Sequence, residues 1–161
     1  MSFLIALHVD GYADNDEGGT VSLRDDGRIR VSYPISKKLQ NSFLRSHKAL
    51  AKLSLAAGAE AVHTMHTYPS ILTKMEDIPS LEKQNYGALH HGIFTAHQMG
   101  GLAMGSDASI GVVNDQYRHH RLKNLFVVDG SIFPSALGVN PSLTIYGLAH
   151  RARQFVGDSV G

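Results

Sequence analysis

The stretch from His97 to Val156 constrains this chain more than any other part of it. Three punctuated segments follow one another: His97-Gln98-Met99-Gly100-Gly101, then N-L-F-V-V-D-G-S-I-F-P over 124–134, then G-V-N-P-S-L-T-I-Y-G-L-A over 138–149. Leu125 to Asp129 is a continuous apolar run ending in an acid and a glycine, the pattern of a buried strand, parallel by that pattern. Asn140 is a preferred helix N-cap and Pro141 suits the first helical turn. Pro141 to Val156 then carries apolar residues at Leu143, Ile145, Leu148, Ala149, Ala152 and Val156, which predicts a helix. The chain is thereby bound to finish as strand, glycine-rich loop and helix.

The upstream residues predict further elements. Phe3 to Val9 reads as a strand, and a chain opening directly on a core strand is expected to begin inside a larger fold. Asp10 to Gly19 reads as a polar loop. Thr20–Leu23 and Ile29–Tyr33 flank Asp26-Gly27, a hairpin signal. Ser36 caps a helix reaching about Gly58, whose expected face is Leu39, Phe43, His47, Leu50, Leu53 and Ala57. Ala61 to Thr67 reads as a short strand and Ser80 to Tyr86 as a short helix. The fold class is α+β: an antiparallel sheet with the long helix packed on it, and a final strand and helix. Residues 1–124 form one region and 125–161 the other.

Several chemistries are excluded or disfavoured. With no cysteine among 161 residues, disulfides, thiol catalysis and Cys-ligated zinc are ruled out. A net charge of +1 with dispersed Lys and Arg leaves no nucleic-acid footprint and no polybasic membrane patch. The Phe3–Leu7 run lacks a basic leader and is too short to span a bilayer, so a cytoplasmic location is the default expectation. G-x-S-x-G, P-loop and G-x-G-x-x-G motifs are absent. Ten histidines raise the question of metal, but His90-His91 and His119-His120 are adjacent pairs that would point to opposite faces of a strand. No H-E-x-x-H occurs, and no metal site is assigned.

What remains is a set of residues suited to redox chemistry. By itself Asn140-Pro141 is only a well-made helix start, Asp129-Gly130 only a strand-ending turn, and His97 only a lone histidine. Together they order an imidazole able to take a hydroxyl proton, a strand end where ligands bind in α/β sheets, and a helix N-terminus whose free N–H groups favour negative charge.

These motifs resemble the C-terminal part of the glucose–methanol–choline (GMC) flavin oxidoreductases. The likeness is carried in order by His97-x-x-Gly100 with Met104-Gly105, by Gly111-Val112-Val113-Asn114 with Arg118, His120 and Lys123 to Val127, by Asp129 to Pro134, and by Gly138 to Thr144. Gly101, Ala103, Ala108 and Asn114 depart from the family's usual Thr or Ser, Arg, Pro and Asp. The resemblance implies an FAD-dependent oxidoreductase acting on the CH–OH group of an alcohol or sugar, with base-assisted hydride transfer to flavin. It implies that His97 is the active-site base and that Asn140 holds the substrate oxygen. Asp129 and Gly130 would lie where backbone meets the FAD pyrophosphate, and Asn140, Pro141 and Ser142 where the helix start meets the isoalloxazine ring.

The family's dinucleotide-binding motif is not in this sequence. The chain is therefore expected to be a C-terminal fragment, inactive alone. Its missing FAD-binding half would come from the same gene product or from a partner chain. The alternative is a non-catalytic remnant or assembly module that pairs with a separate FAD-binding chain.

Overall fold

In the computed structural model, residues 2–10 and 18–160 are described. They divide into two compact units. One holds the described residues of Met1–His8 and Asp16–Phe94, the other those of Val9–Asn15 and Thr95–Gly161.

In the first unit, β1 (Thr20–Leu23) and β2 (Ile29–Ser32) pair antiparallel, with Val21 opposite Val31 and Leu23 opposite Ile29. The turn closes as expected at Asp26-Gly27: Gly27 takes φ +78°, and the Asp26 carboxylate accepts from the Arg28 N–H at 3.0 Å. Helix α1 (Lys37–Ala56) starts at Ser36, whose hydroxyl accepts from the Leu39 N–H at 3.1 Å. It stops before Gly58, which adopts the left-handed φ of +89° that suits glycine. A two-residue pair, β3 (Val62–His63) with β4 (Ile71–Leu72), and a 3-10 segment over Met75–Lys83 complete the unit.

The core differs from the expected helix face. Leu39, Phe43 and Ala51 are the buried residues of α1, whereas Leu53 is 58% exposed and Ala57 is exposed. Ala51 packs with Leu72 and Leu81, drawing in Leu44, Val62 and Ile78. The helix thus rests on the 3-10 segment and β3, not on the β1–β2 hairpin as expected. The reason is the burial pattern of the hairpin, all eight of whose strand residues are exposed. The expected strand at Phe3–Val9 is not formed. No described residue pairs with it, and an isolated run of β-formers has no ladder to join. The expected short helix at Ser80–Tyr86 is displaced to Met75–Lys83, where the Asp77 carboxylate accepts from the Thr73 and Lys74 N–H groups. Most of the expected Asp10–Gly19 loop lies outside the described residues.

The second unit is built from crossing loops and one helix, α2 (Ser142–Val160). Its core joins Val113, Tyr117, Ile132 and Ala152, with Met104, Phe126, Val127, Val128, Leu148 and Phe155 packed against them. Leu125 to Asp129 is not the expected buried strand. Phe126 makes only an isolated antiparallel bridge with Arg118, Val127 donates to the Tyr117 carbonyl at 3.0 Å, and Leu125 and Asp129 are exposed. A run with one short, bridging neighbour is too poorly paired to count as a sheet strand. Two glycines make a tight crossing possible: a Cβ on Gly111 would lie 2.3 Å from the Gly105 nitrogen, and one on Gly105 2.8 Å from the Gly111 Cα. Among the described residues no helix is long and apolar enough to cross a membrane.

Candidate functional site

Every residue singled out for chemistry lies in the second unit. The histidine segment leads into it through left-handed backbone: φ is +59° at His97, +86° at Gly100 and +99° at Gly101. Two of these positions are glycine, which adopts such angles freely, and histidine is among the side chains that tolerate them best.

Beyond this bend the chain runs beside the Asp129 turn. Gly100 N–H donates to the Gly130 carbonyl at 3.1 Å, Leu102 to Ser131 at 3.0 Å, and Met104 to Ile132 at 2.9 Å. The donors are alternate residues, as on one edge of an extended segment. The acceptors are three consecutive carbonyls, because Gly130–Ile132 is a single 3-10 turn. This ladder ties the histidine segment to the Asp-Gly-Ser turn.

Asp129 caps that turn. Its carboxylate accepts from the Ser131 N–H at 2.8 Å and from the Ser131 hydroxyl. The hydroxyl bond first, and the N–H bond second, hold its carboxyl below the usual range. Its Oδ1 is committed to its own turn, while Oδ2 has no hydrogen-bond partner among the described residues. Gly130 lies at the junction of three segments. A Cβ there would stand 3.0 Å from the Gln98 carbonyl oxygen, 3.5 Å from Ile145 Cδ1 and 3.7 Å from Met99 Cγ.

Ile145 belongs to the first turn of α2. Its N–H donates to the Pro141 carbonyl at 2.9 Å. Pro141 is buried, while Asn140 and Ser142 are exposed. The helix begins at Ser142, one residue later than expected, and continues to Val160. Among the described residues, the N–H groups of Ser142, Leu143 and Thr144 have no acceptor, as the first turn of a helix dictates. His97 and Asn140 are both exposed, and neither side chain has a hydrogen-bond partner among the described residues.

The structure therefore brings together the backbone of 98–104, the turn 129–132 and the start of α2. It does not join His97 to Asn140 by a hydrogen bond. Sequence reasoning passed over Ser131, although Asp-x-Ser is a local capping signal. It also missed Gln98 and Ile145, whose contacts with Gly130 have no signal in spacing. α2 is held from behind by Arg151, which stacks over Tyr117 and Phe155 and donates to the Asp115 carbonyl at 3.3 Å. Among the described residues no group of three histidine or carboxylate side chains is arranged to hold a metal.

Comparison with known proteins gives a consistent picture. The model of the GMC oxidoreductase C-terminal region matches residues 15–149. The chain is 56% identical over 63 residues to a cholesterol oxidase of Acinetobacter baumannii, covering 39% of this chain and 11% of that protein. It is 28% identical over 159 residues to a long-chain-alcohol oxidase of Arabidopsis thaliana, covering 93% of this chain and 21% of that one. A second long-chain-alcohol oxidase of the same plant is 31% identical over 143 residues, covering 81% and 19%. The chain spans about a tenth to a fifth of the length of these curated relatives.

Proposed function

The chain belongs to the GMC oxidoreductase family, and from that premise we propose that it is the C-terminal, catalytic portion of an FAD-dependent oxidoreductase acting on an alcohol. The relatives' names, a cholesterol oxidase and long-chain-alcohol oxidases, support an alcohol carried on a large apolar skeleton. The dinucleotide-binding half is supplied by the same polypeptide or by a partner chain, and residues 125–161 pack into it. The chain alone has no turnover.

The observation that carries this reading is the ladder from Gly100, Leu102 and Met104 to the Gly130–Ile132 turn. It ties the histidine segment to the glycine turn that packs against Ile145 of α2, while the His97 and Asn140 side chains have no hydrogen-bond partner among the described residues. The residues present fit a flavin. The Gly130 N–H and the N–H groups opening α2 have no acceptor among the described residues. Asp129 and Gly130 would hold the pyrophosphate through their backbone, and Asn140, Pro141 and Ser142 would meet the ring. FAD, when bound, supplies the two-electron acceptor for the hydride leaving the alcohol carbon.

The chain's own part is positioning and proton handling. The Asn140 amide donates to the substrate oxygen and fixes its orientation. The His97 imidazole accepts the hydroxyl proton, which raises the hydride-donating power of the carbon left behind. The positive end of α2 favours the negative charge that accompanies reduction. The reading is tested by adding a long-chain primary alcohol, and separately a 3-hydroxysterol, to the intact purified protein without oxygen. Bleaching of a co-purified flavin band by either one supports it, and a flavin band that neither alcohol bleaches overturns it.

A further inference from the structure

The first unit contains a histidine cluster that alcohol oxidation does not use. His66 and His91 face each other as an isolated antiparallel bridge. The bridge is held by the Thr67 N–H on the His90 carbonyl and the Gly92 N–H on the Met65 carbonyl, both at 2.8 Å. Their rings are 5.5 Å apart. His47, on α1, stands 5.1 Å from the His66 ring and 5.3 Å from the His91 ring. Tyr86 closes the group at 5.0 Å from His66. His66 is 6% exposed and His91 9%.

A metal does not explain the triangle. His91 Nδ1 accepts from the Gly87 N–H at 3.3 Å, so in the neutral ring the proton sits on Nε2 and no lone pair remains for an ion. Among the described residues neither ring nitrogen of His66 has a hydrogen-bond partner. A neutral imidazole can be tolerated there as an aromatic plate, but an imidazolium would be a buried charge without an acceptor. The groups acting on His66 are all of one kind: His47 from α1, and His90 and His91 from the bridged segment. His8, bonded to Ser42 and Ser46, and Arg45 add only potential positive charge on the α1 side. No carboxylate is among the groups acting on His66, and Glu82, the carboxylate closest in sequence to Tyr86, is paired with Lys48.

We propose that the His47–His66–His91 triangle is an acid-sensitive latch, whose protonation at His66 releases the bridged segments around His66 and His91 from α1. Burial first, then His47, His91 and His90, depress His66 from 6.5 to about 4. An opened unit takes up the proton at the ordinary value, so the closed form is fully favoured above about pH 6.5 and loses ground as pH falls toward 4. His91 and His8 are shifted in the same direction, each chiefly by burial.

The test is hydrogen–deuterium exchange of residues 59–70 and 85–92 in the intact protein, corrected for intrinsic rates. Between about pH 7.5 and about pH 4.5 the closed-to-open ratio is expected to fall about 70-fold through His66 alone. His66→Phe, which keeps the ring and cannot take a proton, is expected to remove most of that loss. An unchanged loss in that variant overturns the proposal. Should the variant not fold, the exchange of the His66 ring C–H in the wild-type protein decides: a half-point well below 6.5 supports the latch, and an ordinary half-point overturns it.

Discussion

Gly130 leaves the space in which the Gln98 carbonyl rests, 3.0 Å from where a Cβ would stand. It lets the residue following His97 lie against the turn that opens toward α2. The Gly100-to-Gly130 hydrogen bond at 3.1 Å lies two residues further on. Together they make the position of the histidine segment a consequence of the 129–132 turn.

Gly130→Val should therefore disturb the site and not only the fold. Its branched side chain meets Gln98, Met99 and Ile145 at once. Overpacking of this kind costs about 1–3 kcal/mol, and displacement near reacting atoms can cost about 100-fold in turnover. Under the proposed function, thermal melts and steady-state rates of the intact protein should show both losses. A variant with a lowered melting point and full turnover would separate Gly130 from the positioning of His97.

Gly111→Ala tests the loop crossing. The new Cβ would fall 2.3 Å from the Gly105 nitrogen and 2.5 Å from its Cα, and backbone cannot swing away as a side chain can. A loss of about 3 kcal/mol is expected in denaturant titrations, at the upper end of ordinary overpacking. Wild-type stability would show that this crossing yields easily.

Ser131→Ala removes the hydroxyl that bonds Asp129 while leaving the N–H bond. The Asp129 carboxyl should then titrate higher than in the wild type, because its largest lowering cause is gone. The sign follows: a depressed carboxyl contributes stability above its ordinary value and loses it as pH falls. The variant should lose less stability than the wild type on acidification through that range. Parallel acid titrations monitored by circular dichroism check this, and identical profiles would count against the capping role.

The legible part of this molecule was local. Ser36 and Gly58 bound α1 because capping needs only neighbouring residues. Asp26-Gly27 placed the hairpin for the same reason. The expected strands at Phe3–Val9 and Leu125–Asp129 failed, because a strand exists only through a partner that the run itself does not specify. Leu53 was assigned to the core by its spacing. The packing of Ala51 against Leu72 and Leu81 turned the helix otherwise. In the candidate site, His97, Asp129, Gly130 and Asn140 were marked by motif order. The ladder that ties the histidine segment to the 129–132 turn was not, because it pairs an extended segment with a helical turn, a match no periodicity encodes.

The most direct measurement is rapid-reaction flavin reduction by alcohol in the intact protein carrying His97→Asn. Asparagine tolerates the left-handed backbone found at His97, so the exchange removes the base with little added strain. The account predicts that flavin stays bound while its reduction slows by about 100- to 10,000-fold. Reduction at the wild-type rate would contradict the assignment of His97 as the base.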